Sequence, residues 1–133
     1  MQRADLLAFL RSHRYAVQSS VAGNGSPQAA LVGIAVSDAF ELVFDTVETS
    51  RKAVNLEANG HIAFVIGGTA DGDERTVQYE GIAVRATGAD RDASLSLYFS
   101  IFPDGRARLA WPGIAHFRVT PTWIRYSNYN VNP

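Results

Sequence analysis

The stretch with the clearest chemical potential is 46–56, where the end of a predicted strand turns into a predicted helix. Thr49 or Ser50 suits the cap of that helix, because a side-chain oxygen accepts a hydrogen bond from a free backbone N–H. Arg51 and Lys52 follow in the first turn, where the helix dipole favours acidic side chains over basic ones. A cap hydroxyl, free N–H groups and two cations at one point suit an anion. The stretch therefore predicts a phosphate site for a nucleotide-like cofactor.

A local ion pair is a second interpretation of the same residues. Glu48 lies four residues before Lys52 and could pair with it. Arg51 could simply be solvated, as exposed basic residues commonly are. The local sequence leaves both interpretations open.

Length and composition set the broad class of the protein. The 133 residues predict a single domain over 1–133, long enough to bury its own core. Without cysteine the chain forms neither disulfides nor thiolate metal sites, which fits the cytoplasm that we predict as its location. The net charge of -1, with acids and bases mixed, gives no reason to expect a nucleic-acid partner. The apolar runs are too short for a membrane span or a signal peptide.

Common catalytic and metal-binding motifs are absent from the sequence. His13, His61 and His116 lie far apart and show no metal-ligand spacing, so we predict no metal site. There is no nucleophile elbow, P-loop or dinucleotide fingerprint. If the protein is an enzyme, a cofactor must supply the reactive chemistry.

The pattern of apolar residues predicts a mainly β fold of about six antiparallel strands with a few short helices. The predicted strand segments are 15–21, 29–36, 41–46, 61–66, 75–87, 114–120 and 123–126, and the predicted helices are 3–13, 50–58 and 90–102. Strands linked by hairpins favour a small antiparallel barrel over a doubly wound sheet. Side chains fill such a barrel, so a flat cofactor would lie outside its wall, where a second copy of the chain could cover it.

Several of these boundaries depend on local signals. Asn24-Gly25 predicts a hairpin turn, and Asn59-Gly60 predicts a glycine cap at the end of helix 50–58. Pro121 separates the last two strand segments. Residues 93–102 show both a strand period and a helical stripe, and two aspartates just before them favour the helix.

Two strands have faces that could contact a ligand. Segment 29–36 is small and apolar throughout, which predicts a strand covered on both faces that something flat could approach closely. The alternative is a core strand without a ligand. On strand 75–87, Thr76, Gln78 and Glu80 share one face, which would line either a ligand cleft or an exposed sheet surface.

The motif Thr49-Ser50-Arg51-Lys52-Ala53-x-Asn55-Leu56-x-x-Asn59, followed by strand 61–66, resembles the pyridoxamine 5'-phosphate oxidase-like group of flavin-binding split-barrel proteins. The runs 25–28, 75–81 and 121–126 resemble further elements of that group, in order and over nearly the whole chain. The resemblance implies a split β-barrel that forms a homodimer, with FMN in two clefts at the interface. It also supports the helix at 90–102.

The resemblance further implies roles for individual residues around FMN. In this resemblance Arg51 and Lys52 hold the phosphate, and Ser50 and Thr46 add hydrogen bonds to it. Backbone groups of Ala30, Leu31 and Val32 lie along the isoalloxazine ring, and Thr76 and Gln78 face its polar edge. Trp123 and Arg125 come from the partner chain. No catalytic residue is implied.

The chain also departs from the pattern of the family. Members that oxidise pyridoxamine phosphate carry an arginine early in the second strand, where this chain has Gln28-Ala29-Ala30, and a longer C-terminal segment. We therefore expect a flavin-dependent oxidoreductase acting on an unidentified small molecule, not a vitamin B6 oxidase. A flavin-binding or stress-response protein without turnover, and a dimeric barrel without cofactor, are the alternatives. FAD, a deazaflavin or haem could replace FMN.

Overall fold

The computed structural model describes residues 1–131, in which seven strands form one antiparallel sheet that curls into a split barrel. The strands are β1 (Tyr15–Val21), β2 (Pro27–Gly33), β3 (Ala35–Val36), β4 (Leu42–Val47), β5 (His61–Gly67), β6 (Arg75–Arg85) and β7 (Ile114–Asn128). The helices are α1 (Arg3–Arg11), α2 (Arg51–Ala58) and α3 (Gly88–Ile101), followed by a 3₁₀ helix (Pro103–Ala110). The strand order is β2-β1-β5-β6-β7-β4-β3. The last two residues of the predicted domain 1–133 lie outside the described part.

Aromatic side chains fill the inside of the curled sheet. Phe44 stacks on Phe117 with ring centroids 5.6 Å apart, and Phe64 meets Tyr79 edge to face at 5.6 Å. The Tyr79 hydroxyl donates a 2.7 Å hydrogen bond to the carbonyl oxygen of Phe40, so its one polar atom is paired inside the core. The barrel is therefore packed by its own side chains, and a ligand must bind outside that core.

Strand β7 is a single strand of 15 residues, so the predicted division at Pro121 is wrong. The pairing of β6 with β7 shifts register between Glu80 and Gly81, and Gly81 comes to lie opposite Pro121. A β-bulge accommodates a residue that has no N–H to donate. A Cβ on Gly81 would lie 2.5 Å from the carbonyl oxygen of Thr120, so glycine is required for this close approach.

The predicted strand 29–36 is also wrong as one element, because Ile34 separates β2 from β3. The Ile34 N–H donates to the carbonyl oxygen of Arg14 at 2.8 Å. Coverage of both faces holds only in part: Val32 is buried, whereas Leu31 is 66% exposed. Strand β2 lies at one end of the strand order, and its outer face stays open within one chain.

The helix ends follow the sequence less closely than the helices themselves. The helix predicted for 90–102 is confirmed as α3. Helix α2 begins and ends as predicted, with Asn59 as its C-cap; Gly60, which follows, is not among the glycines with a positive φ, so it does not close the helix in the left-handed conformation. Gly60 is needed for another reason, since a Cβ there would lie 2.8 Å from the carbonyl oxygen of Ala83. In the first hairpin Gly25 has the expected positive φ of 87°.

Candidate functional site

The N-terminus of α2 has the cap that the sequence predicts. Ser50 is the N-cap, and its Oγ accepts a 3.2 Å hydrogen bond from the backbone N–H of Ala53. The buried Thr46 places its Oγ1 2.8 Å from Ser50 Oγ, which fixes the cap hydroxyl in position. The N–H groups of Arg51 and Lys52 belong to the first helical turn, where the helix itself supplies no acceptor. This end of α2 therefore presents donors and positive charge together.

A cleft of about 390 Å³ opens beside this helix end. Its lining residues come from α2, β1 and the edge strand β2: Gln18, Ser20, Gln28, Ala29, Ala30, Arg51 and Lys52. Three residues predicted for the site meet here, namely Arg51, Lys52 and Ala30. Two cations and no carboxylate line this cleft, so it suits an anionic ligand.

The local ion pair that the sequence left open does not form. Glu48 contacts Arg85 instead, with a carboxylate oxygen 3.1 Å from the guanidinium. The exposed Arg51 donates through Nε to Gln28 Oε1 at 3.0 Å, a neutral acceptor that leaves its charge uncompensated. Within residues 1–131, Lys52 makes no ion pair. Both cations of the cleft are therefore available to a ligand.

A cluster of neutral polar side chains forms the floor of the cleft. The Asn55 amide Nδ2 donates to Ser20 Oγ at 3.0 Å and to Gln28 Oε1 at 2.9 Å. Gln18, which is 1% exposed, has no hydrogen-bond partner for Oε1 within the described chain. The sequence analysis missed this cluster. The sequence pattern that could have predicted it is the alternation along β1, which places Gln18 and Ser20 on the same face as the buried Ala16.

Most of the predicted residues outside α2 and its cap lie on the opposite face of the sheet. Gln78 is exposed while Val77 and Tyr79 beside it are buried, which confirms the two faces predicted for β6. Gln78 pairs with Arg125 across β6 and β7. Thr76, Trp123 and Leu31 fall on the same outer face by strand alternation, whereas Val32 is packed in the core.

One chain does not bring these two groups of residues into one cleft. Ala30 and Gln78 are separated by three strand spacings, about 14 Å, and lie on opposite faces of the sheet. Trp123 and Arg125 are one strand farther away. Within the described part of one chain, the cleft and these outer-face residues therefore do not form one site.

The outer face of β2, β1, β5 and β7 exposes large apolar side chains. Val17, Leu31, Val65 and Trp123 are each between 43% and 66% exposed. Register aligns Leu31, Val17 and Val65 in one row across the sheet. A shallow cavity of about 290 Å³ lies between Val17, Val65 and Trp123. We call this surface the outer apolar face, and exposed patches of this kind commonly mark interaction sites.

A family model described as pyridoxamine 5'-phosphate oxidase matches residues 3–128. The chain belongs to the pyridoxamine 5'-phosphate oxidase family. No curated protein matches it.

The split barrel of this family member is shared with solved structures of low sequence identity. An FAD-binding protein from Mesorhizobium loti is 16% identical, with a TM-score of 0.76 over 95% of this chain and 92% of that one. A heme binding protein from Mycobacterium smegmatis is 13% identical, with a TM-score of 0.84 over 98% of this chain. The protein Atu2129 of unknown function from Agrobacterium tumefaciens is 19% identical, with a TM-score of 0.81 over 94% of this chain. The chain spans only 56% and 55% of the last two proteins. At this identity the likeness concerns the fold alone.

A second charged cluster in the pyridoxamine 5'-phosphate oxidase-like barrel joins α3 and the 3₁₀ helix to the sheet. Arg108 Nε donates to Asp45 Oδ2 at 2.8 Å, and the Tyr98 hydroxyl donates to Asp45 Oδ1 at 3.1 Å. His116 lies opposite Asp45 in the sheet and is buried, with no partner for Nε2 in the described chain. Burial lowers the pKa of His116, so the ring is neutral near pH 7. This cluster lies inside the packing and holds the helices onto the sheet.

Two further findings bear on the type of site. Within residues 1–131, no group of three or more histidine, cysteine, aspartate or glutamate side chains is placed to hold a metal ion. None of the described helices has both the length and the apolar character needed to cross a membrane.

Proposed function

We propose that the protein binds FMN, with the phosphate held by Arg51 and Lys52 at the N-terminus of α2, and acts as a flavin-dependent oxidoreductase on a small molecule. The observation that carries the proposal is the cleft itself. It combines a helix N-terminus with two cations that no carboxylate neutralises within the described residues. A phosphate ester carries close to two negative charges at neutral pH, which matches that pair.

The walls of the cleft suit the rest of the ligand as well. Ala29 and Ala30 are small, so a flat or extended group can approach β2 closely. Gln18, at the floor, offers a buried amide with an unpaired oxygen. The residues present therefore fit a phosphorylated ligand that also carries hydrogen-bonding groups, as FMN does.

We further propose that a second copy of the chain completes the cleft. The outer apolar face supplies a surface on which two copies can associate, and twofold dimers are the commonest oligomers. The cleft reaches the outer side of the sheet at its edge strand β2, where Ala29 lines it, so association there would bring the partner chain's counterparts of Trp123 and Arg125 toward the cleft. The separation of the two groups within one chain supports this arrangement.

In this proposal the flavin supplies the electron-transfer chemistry, and the residues of the chain bind and orient it. Arg51 and Lys52 hold the phosphate, backbone groups of β2 lie along the ring, and Thr76 and Gln78 of the second copy meet its polar edge. We assign no side chain the role of general acid, general base or nucleophile.

A cofactor-binding protein without turnover, for storage or stress response, is the second candidate function. It is supported by the solved structures named for binding FAD or heme. Haem iron is held by an axial side chain such as histidine, methionine, tyrosine or cysteine, and none of these lines the cleft. The cleft therefore favours a phosphorylated ring such as FMN, FAD or a deazaflavin. Reduction of the bound flavin by a nicotinamide donor under anaerobic conditions would favour the enzyme over the binding protein.

The anchor is tested by titrating FMN into the wild-type protein and the Lys52→Ala variant, with fluorescence as the readout. One charge-assisted hydrogen bond contributes about 1.5–3 kcal/mol, so we expect FMN affinity to fall roughly ten- to hundredfold. Arg106→Ala is the matched control, because it removes one cation that lies over the Phe99 ring and does not line the cleft.

Equal FMN affinity in wild type and Lys52→Ala would contradict the anchor. A colourless preparation whose melting temperature does not rise with FMN would contradict the whole proposal, since any ligand that binds the folded state stabilises it. The absorption spectrum of the purified protein and the mass of any released cofactor distinguish FMN, FAD and a deazaflavin.

A further inference from the structure

Gln18 is the buried side chain of the cleft whose hydrogen bonding is incomplete. It lies on β1 directly opposite Ala30 of β2, and both side chains point to the inner face of the sheet. Because the side chain of Ala30 is small, it does not cover the Gln18 amide, which borders the cleft. Gln18 is 1% exposed, and its Oε1 has no partner among residues 1–131.

The other polar side chains of the cleft floor are already paired with one another. Asn55 donates to both Ser20 and Gln28, and Gln28 also accepts from Arg51. Gln18 Oε1 takes no part in this network. A buried polar atom without a partner is uncommon in folded proteins, and a hydroxyl on a ligand in the cleft would complete the hydrogen bonding of this one.

We propose that Gln18 is a specificity-determining residue that recognises a hydroxyl group on the chain next to the ligand's phosphate, so that the cleft selects polyol phosphates over simple phosphates. The inference rests on the proposed phosphate site and names the part of the ligand that lies beside it. A hydroxyl both donates and accepts, so it satisfies the amide in either orientation of its oxygen and nitrogen. A phosphate dianion only accepts, so it can pair with the amide NH2 group but leaves the amide oxygen without a donor in either orientation.

The test compares Gln18→Met, which keeps the length of the side chain, with wild type for three probes: inorganic phosphate, ribitol 5-phosphate and FMN. Binding is followed by chemical-shift titration. We expect wild type to prefer ribitol 5-phosphate over phosphate, and Gln18→Met to lose about five- to tenfold in affinity for ribitol 5-phosphate and FMN but not for phosphate. Lys52→Ala should weaken all three probes, because it removes a phosphate contact.

The melting temperature of the ligand-free variants separates recognition from a structural role. We expect Gln18→Met to melt at or above the wild-type temperature, because it removes an unpaired buried acceptor. A lower melting temperature with unchanged affinities, or equal affinities of both proteins for ribitol 5-phosphate, would overturn the inference. If FMN fails to bind while the ribitol 5-phosphate preference depends on Gln18, the proposed flavin function falls and the polyol-phosphate site stands.

Discussion

Gln28 connects the buried floor of the cleft to its exposed cation, which makes it the most informative position to perturb. Its Oε1 accepts from Asn55 Nδ2 at 2.9 Å and from Arg51 Nε at 3.0 Å. Gln28→Leu removes both acceptor contacts at once. Gln28→Glu keeps an acceptor at the same place and adds a negative charge. The two variants should therefore separate the contribution of Gln28 to stability from its contribution to ligand binding.

The expected loss of stability in Gln28→Leu depends on which of the two donors, Asn55 or Arg51, remains buried without an acceptor. Asn55 is 7% exposed, so one of its N–H bonds would be left unpaired away from water, at about 1–3 kcal/mol. Arg51 is exposed and regains its hydrogen bond from solvent at almost no cost. The leucine side chain recovers part of the loss by burying apolar surface, at about 25 cal/mol per Å². We expect a net loss of about 1–2 kcal/mol in the free energy of unfolding.

Urea unfolding is the assay, and the midpoint of Gln28→Leu should fall by about 0.5–1 M. Gln28→Glu should unfold within about 0.5 kcal/mol of wild type, because the acceptor is retained. It should nevertheless bind FMN more weakly, since its carboxylate competes with the phosphate for Arg51. Equal urea midpoints for wild type and Gln28→Leu would show that the Asn55–Gln28 hydrogen bond contributes less than about 1 kcal/mol to stability, and would refute the reasoning.

Two further predictions concern the outer apolar face and the pH dependence of stability. Leu31→Glu places a charge at a site 66% exposed in one chain, so the chain should fold but sediment as a monomer, whereas Val54→Glu on α2, also exposed, should sediment as wild type. Because burial lowers the pKa of His116 below its ordinary 6.5, the unfolded chain takes up this proton first, and stability should fall as pH drops below about 6.5, by at most about 1.4 kcal/mol per pH unit. The charge of Asp45 raises the pKa of His116 and so opposes the effect of burial, whereas Arg91 and Arg108 lower this pKa further. Urea unfolding of wild type and His116→Phe at pH 7.0 and 5.5 checks the prediction, because the free energy of unfolding should change less with pH in the variant. An equal change in both proteins would contradict it.

The features that the sequence predicted correctly are those set by near neighbours along the chain. Ser50 caps α2 because a hydroxyl at that position reaches the N–H three residues later, a contact visible in the order of residues. The buried and exposed faces of β6 follow from the period of two in its side chains. The motif 49–59 identified the family by the same local chemistry, and the match over residues 3–128 confirms it.

The features that the sequence did not predict depend on contacts between distant residues. Pro121 stays within β7 because Gly81 of β6 lies opposite it and the register shifts there, with Thr122 left as the extra residue of β7; this pairing depends on residues 40 positions away in the sequence. Gly60 is required by the backbone of Ala83, 23 positions away, and not by the helix that it follows. The sequence around Asn55 does not show that this side chain donates to Ser20 and Gln28, because only the fold brings those residues close to it.

The placement of the proposed site residues on two faces of one sheet has a thermodynamic consequence. If Lys52 of one copy holds the phosphate and the outer face of another copy contacts the ring, then FMN binding and association of the two copies are linked by a coupling free energy. Coupling of this kind is reciprocal, so FMN strengthens association of the two copies by the same factor by which association strengthens FMN binding. Lys52→Ala and Leu31→Glu act on opposite faces. Lys52→Ala should nevertheless reduce the stabilisation of the dimer by added FMN, and Leu31→Glu should reduce FMN affinity because the cleft then lacks its partner chain. Independent effects would mean that the cleft of each chain binds its ligand alone.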